Sequence, residues 1–488
     1  MRHLPTLVAV AVWLAMLGLL AARRAPQAGI DPTALPAAEM PGDVRDEWFG
    51  LYQASRKIGH SSRVTRAIPG GRRFEDVSHL EIALLGVPQA IDTRLVAETD
   101  TDLRLRRFAF TLASAAATFA ASGEADGSSL TVRLDADGSS RTLVLPLERP
   151  IHLTGALRPR IAASRPVPGA RFVHDVLNPL TLRHEPLATV VEAIEERDGR
   201  ETLRLVEEHQ GLQARVWLDP DGRVVREESA LGFTMVAEPY EVAVAGVDRG
   251  APVDLALATR IPLVGRLGDD PRALAALRLR VTGAAAAAVP DDPPRQRVRD
   301  GVLHIEREAL PSAGATREPP GAAVTHDAPA ARFLAPEPFI ESDDPLVAAR
   351  ARAAVGDARD DETRARRLVR WVHETMRPEP AATVPSAREV IRTLRGDCNE
   401  HAVLLAAMAR AAGIPARVVA GAMYADGAFL YHAWTELWLG GWVTADATLD
   451  QMPVDATHVK LVEGGPAAHV ALAGLLGRLG FETVDEGT

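Results

Sequence analysis

Residues 396–446 read GDCNEHAVLLAAMARAAGIPARVVAGAMYADGAFLYHAWTELWLGGWVTAD, and they decide the fold of the C-terminal part of this 488-residue chain. Gly396 ends one helix and Asp397 caps the next, which opens at Cys398. Val403, Leu404, Ala407 and Met408 recur at helical spacing until Gly413, with Pro415 just beyond. The pattern then predicts two strands, over 416–421 and 429–439, and a third starting at Trp442. Upstream, Asp344-Pro345 is an N-cap followed by proline at the first helical position. Leu368, Val369, Val372 and Met376 form an apolar helical stripe, and Ser386 with Glu389 fits a capping box. Helices followed by an antiparallel sheet make an α+β domain.

The chemistry of this stretch centres on one thiol. Cys398 is the only cysteine, which excludes disulfides within the chain and cysteine-based zinc sites. Taken alone, it reads equally as a small buried residue or as a reactive group. At a helix N-terminus, unpaired N–H groups and the helix dipole favour an anion, so with a histidine partner the thiol is expected to ionise below about pH 7. That partner is His432, on a strand face shared with Trp434, Glu436 and Trp438. Its imidazole can take the thiol proton and later protonate a leaving amine. Asp446 can hold the imidazole in the required tautomer.

Whether Asp446 reaches His432 depends on the turn at Gly440-Gly441. A two-residue turn pairs Leu439 with Trp442 and sets Asp446 opposite Thr435, on the wrong face. A three-residue turn over 439–441 pairs Trp438 with Trp442 and Trp434 with Asp446. Asp446 then shares the His432 face, with Gly441 as the left-handed residue. The three-residue turn and a His432–Asp446 hydrogen bond are therefore expected.

Gly396-Asp397-Cys398-Asn399-Glu400-His401-Ala402, then Ala411-Ala412-Gly413-Ile414-Pro415-Ala416-Arg417-Val418, then His432-Ala433-Trp434-Thr435-Glu436, then Trp442 and Asp446 together resemble the transglutaminase-like superfamily. The resemblance spans residues 332–462. It implies a papain-like core and acyl transfer on amides, with Cys398 as nucleophile, His432 as base and Asp446 as orienting acid. It also implies a protein or peptide amide substrate. One oxyanion donor is expected from the Cys398 backbone N–H; residues 377–386 supply no evident second one, and Trp371 reads as helix core. His401 reads as structural, since a base on the thiol's own helix cannot easily swing to the leaving group. His373-Glu374 starts like a zinc-protease helix, but Arg377 stands where the second histidine belongs. No metal, nucleotide or organic cofactor is implied. The alternative function is a non-catalytic binding or scaffolding protein built on the same core.

The N-terminal half has a different texture. Leu130, Val132 and Leu134 alternate with polar residues, as do Leu203 with Leu205 and Val216 with Leu218. Asp-Gly pairs at 126–127, 137–138, 198–199 and 221–222 supply hairpin turns. Residues 46–250 are thus expected to form an antiparallel β-rich domain, a half-barrel or sandwich. Its opening Trp48-Phe49-Gly50-Leu51-Tyr52 and Lys57-Ile58-Gly59 resemble β-rich envelope domains related to lipoprotein carriers. An apolar concave side would take a lipid tail or an extended peptide. Residues 251–331 are expected to add a β-hairpin extension and a linker, and 332–488 the transglutaminase-like domain. Residues 25–45, rich in proline, read as a tether. Residues 1–24 read as a signal anchor: Leu4 to Ala22 is uncharged and apolar, flanked by Arg2 and by Arg23-Arg24. The expected protein is single-pass and membrane-anchored, with its bulk extracytoplasmic. A net charge of -10 argues against nucleic acid as a partner.

Overall fold

The computed structural model describes residues 29–484 except 37–43, 248–251, 311–329, 381–383, 466–471 and a few single or paired positions. The chain is multidomain, with an N-terminal antiparallel β-rich part and a C-terminal α+β part. The N-terminal part is one sheet of fourteen strands. Its first eight strands, from Val44–Gln53 to Ser139–Pro146, pair each with the next. The first strand also pairs with the last, Phe233–Ala237, through Phe49 opposite Ala237. From there the sheet runs back to Arg171–Asn178. Its two ends approach each other, because His184, one strand in from that edge, donates to the Pro146 carbonyl at 3.2 Å. Of the two expected forms the half-barrel describes it.

A short helix, Arg158–Ala163, closes the concave side of this sheet. Ile161 enters the apolar cluster with Phe49, Leu205 and Val216. Arg158 bonds Glu207 at 2.7 and 2.8 Å and Glu227 at 2.9 Å. The concave face was expected to be apolar; instead Arg45, Arg63, Arg72 and Asp76 line it beside Phe74 and Leu95. Strand alternation shows which residues share a face but not which face is enclosed.

A buried histidine pair in this sheet makes folding sensitive to acid. His152 and His174 meet edge to face at 5.9 Å, and neither ring nitrogen of His174 has a hydrogen-bond partner among the described residues. Burial, reinforced by His152, pushes His174 from 6.5 down to about 4. Its folded pKa lies below its unfolded one, so its contribution to stability is full above pH 6.5 and is lost as pH falls towards 4. The loss approaches about 3 kcal/mol. Urea titrations should show it between those pH values, and His174→Gln should remove it; an unchanged pH slope in the variant would assign the loss elsewhere.

In the C-terminal part we label the helices α1 (Pro345–Val355), α2 (Asp361–Thr375), α3 (Ala387–Thr393) and α4 (Cys398–Ala411). The strands around the site are β1 (Ala416–Ala425), β2 (Ala428–Trp438), β3 (Trp442–Ala445) and β4 (His458–Glu463). Residues Ala402 to Ala409 of α4 are all buried, and the helix packs on β2 with the other three helices around it. A helix apolar all round belongs in a core. The sheet has nine strands, and four upstream ones, Ile261–Val264, Ala276–Thr282, Gln296–Arg299 and Val302–Glu306, belong to it. Strand Gly480–Thr483 lies between Ala276–Thr282 and Ile261–Val264, antiparallel to the first and parallel to the second. The two parts of the chain share a core: Phe339 and Val384 join the cluster of Phe119, Leu130 and Val132, with Phe119 and Phe339 rings 6.2 Å apart.

The single-pass anchor is an expectation the structure overturns. Among the described residues, no helix is long and apolar enough to cross a membrane. Residues 4–22, which carried the expectation of a transmembrane helix, lie outside the described residues. Neither the anchor nor the extracytoplasmic placement built on it has a structural basis here.

Candidate active site

Cys398 is the first residue of α4, and the helix end around it is tightly built. Asp397 accepts from the Asn399 N–H at 2.8 Å, while Glu400 accepts from the Asp397 N–H at 2.8 Å, the reciprocal capping box. Gly396 stands at φ +143°, and a Cβ there would meet Glu400 at 2.3 Å, so only glycine lets the capping glutamate fold back. Thr435 on β2 donates to the Ala402 carbonyl at 3.0 Å, tying helix to strand. The same strand carries His432, three residues before Thr435, and the neighbouring Ala433 N–H favours the ionised form of Cys398.

The register of β2 and β3 is the three-residue one. Trp438 lies opposite Trp442 and Thr435 opposite Ala445. The left-handed residue of the turn is Gly440, at φ +88°, rather than Gly441. Asp446 follows directly on the His432 face, and its Oδ2 lies 2.8 Å from His432 Nε2. That bond leaves His432 Nδ1 for a substrate or thiol proton.

His458 is the residue that sequence reasoning missed. Fully buried at the start of β4, it sets Nε2 3.3 Å from the same Asp446 oxygen and Nδ1 3.3 Å from Asp455 Oδ1. The other Asp446 oxygen accepts from the Thr448 N–H at 2.8 Å. Burial alone would raise the Asp446 carboxyl, but His432 and then His458 outweigh it and hold the group far below the usual carboxylate range. Trp434 roofs the cluster, stacked on His432 with centroids 6.2 Å apart and edge-on to His458 at 5.3 Å. The one sequence clue was Asp455 three residues before His458, whose carboxylate lies 3.3 Å from the His458 ring in the structure.

The thiol itself departs from expectation. Burial, with Asp397, Glu400 and Asp446 around it, pushes Cys398 well above its ordinary value, and the Ala433 N–H offsets this only in part. The cap that builds the helix end brings two of those carboxylates, Asp397 and Glu400, which add to the effect of burial. His401 donates from Nδ1 to the Asp397 carbonyl at 2.7 Å, a role within its own helix. His373 bonds the Ala447 carbonyl at 3.1 Å and, among the described residues, belongs to no metal-ligating group. Tyr431 donates to Asn399 at 2.5 Å, across the mouth of the helix.

His432, Asp446 and His458 each offer a ligand atom within 4.8 Å of the others, a minimal set for a divalent cation. All three atoms already hydrogen-bond among themselves, so a bound cation would take His432 out of acid–base work.

Residues 348–447 match the family model described as the transglutaminase-like superfamily. The domain is transglutaminase-like. The match includes Cys398, His432 and Asp446 and ends one residue beyond Asp446. No curated protein matches the chain. Among solved structures, a Cytophaga hutchinsonii protein assigned as a cysteine protease is 17% identical, with 44% of this chain and 88% of that one covered and a TM-score of 0.29. A β-barrel-like protein of a domain of unknown function from Brucella abortus is 10% identical, covering 40% and 94%, at 0.30. The periplasmic domain of TgpA from Pseudomonas aeruginosa, bound to ethylmercury, is 29% identical, covering 25% and 49%, at 0.21. The transglutaminase-like match thus accounts for a stretch of 100 residues.

Proposed function

We propose that the chain is a cysteine-dependent amide acyltransferase or amide hydrolase acting on protein or peptide amides. The observation that carries this is the 2.8 Å bond from His432 to Asp446 on the strand that packs against the helix opening at Cys398. Cys398 Sγ attacks the amide carbonyl carbon while its proton passes to His432 Nδ1. The carbonyl π electrons move to oxygen, where the Cys398 backbone N–H is one donor. Collapse expels the amine, which takes the proton from His432 and leaves a thioester. Water or a second amine, deprotonated by His432, then attacks the thioester and regenerates the thiol. Asp446 holds His432 in the tautomer with Nδ1 free and stabilises it when charged.

Since the resting thiol is pushed up rather than down, proton transfer accompanies attack instead of preceding it. Alkylation by iodoacetamide should therefore accelerate steadily from pH 6 to 9, and His432→Ala should slow it at pH 7. A rate already on its plateau at pH 6 would mean a preformed thiolate–imidazolium pair. The non-catalytic scaffold reading rests on that same raised thiol. It predicts labelling no faster than free cysteine and indifferent to His432→Ala.

A further inference from the structure

The concave side of the fourteen-stranded sheet encloses a cavity of about 330 Å³, within the usual range for small-molecule sites. Strand pairing puts its floor on one face: Arg45 lies opposite Thr65, Thr65 opposite Phe74, and Arg63 opposite Asp76. Five arginines and three carboxylates line it. Two of these arginines have ordinary ionic partners: Arg63 pairs with Asp76 through two bonds of 3.0 Å, and Arg158 with Glu207 and Glu227.

Arg45 and Arg160 are different. They are 6% and 5% exposed, yet among the described residues neither has a carboxylate within ion-pair distance. Arg45 donates to the Asp221 carbonyl at 3.2 Å, and Arg160 to the carbonyls of Thr33 and Thr101 at 3.1 and 3.0 Å. Carbonyl dipoles satisfy some N–H groups, but among the described residues neither guanidinium has a carboxylate hydrogen-bonded to it, which leaves both able to take an added anion. Arg72 lies close enough to both that, after burial, their charges lower its pKa. Glu47 lines the same cavity, where burial raises its pKa against the pull of Arg63 and Arg45. The rest of the wall includes Phe74, Leu95, Leu103 and Leu153. A planar guanidinium fork matches the paired oxygens of a phosphate or carboxylate.

We infer that this cavity binds an amphiphilic organic anion, its phosphate or carboxylate head on Arg45 and Arg160 and its alkyl part along Phe74, Leu95, Leu103 and Leu153. The site is independent of the amide chemistry at Cys398. Titration calorimetry on the full chain, with ligands below their micelle limits, tests it. Decyl phosphate or decanoate should bind at least tenfold more tightly than inorganic phosphate, because methylenes leave water, and tenfold more tightly than neutral decanol. Arg45→Gln and Arg160→Gln should each weaken decyl phosphate at least tenfold. Equal affinity for inorganic phosphate and decyl phosphate, equal affinity for decanol, tighter binding of a tetraglutamate peptide, or no binding of either amphiphile would overturn the inference. Should the variants misfold, a diazirine-bearing alkyl phosphate on the unaltered chain decides the matter. Adducts within residues 45–103 or 153–160 support the site, and adducts confined to other segments refute it.

Discussion

Cys398→Ala is expected to lower amide turnover at least about 10⁴-fold while leaving the melting temperature near that of the parent. No other thiol exists in the chain to take over. The side chain is small, packs only partly against the core, and leaves the capping box of Asp397 and Glu400 untouched. Ammonia or amine release from a panel of peptide amides measures the effect. Because the nucleophile, base and orienting acid act as a unit, adding His432→Ala to the same chain should lower the rate little further. Activity persisting in Cys398→Ala would move the chemistry away from this site altogether.

Asp446→Asn is the second large effect, and it separates tautomer control from packing. The shape is kept, but the amide nitrogen can donate to His432 Nε2, which favours the tautomer with the proton on Nδ1, where the thiol proton has to go. Turnover should fall by about 10³- to 10⁴-fold on the precedent of acid-to-amide changes in catalytic triads. Asp446→Ala should in addition destabilise the fold by about 3–5 kcal/mol, since it strands two buried imidazoles and the Thr448 N–H. His458→Gln should be milder, about tenfold in turnover, because it removes only the outer support of Asp446. Equal rates for Asp446→Asn and the parent would reduce the site to Cys398 and His432.

Much of the site was legible because its parts obey local rules. An aspartate before Cys398 caps a helix, and a period-two face carries His432 and Trp434. Counting across Gly440-Gly441 selects the register that the structure adopts. His458 was not legible. It reaches Asp446 only because residues 447–457 fold back, with Asp446 bridged to Gln451, and β4 pairs on the far side of β1. No periodicity encodes that return. The thiol was misjudged because burial, the largest influence on it, is something spacing does not report, and the capping carboxylates add to it. In the β-rich part, alternation located the strands but could not say that Arg45, Arg63 and Arg72 face inward.

Strand Gly480–Thr483 bears on the order in which the molecule can be made. Among the described residues it is the sole link in the sheet between the three strands over 276–306 and the strands that carry His432. At ~5–20 residues per second, the ribosome needs about ten to forty seconds after finishing Ile261–Val264 to deliver it. Throughout that interval Leu279 and Ile261, both fully buried in the finished protein, wait beside edges with no neighbour. Such edges invite pairing with other chains. The C-terminal half therefore completes its sheet last, after the fourteen-stranded sheet has had all its strands for more than two hundred residues of synthesis, and nascent chains lacking residues 480–483 are the ones a holding chaperone should retain.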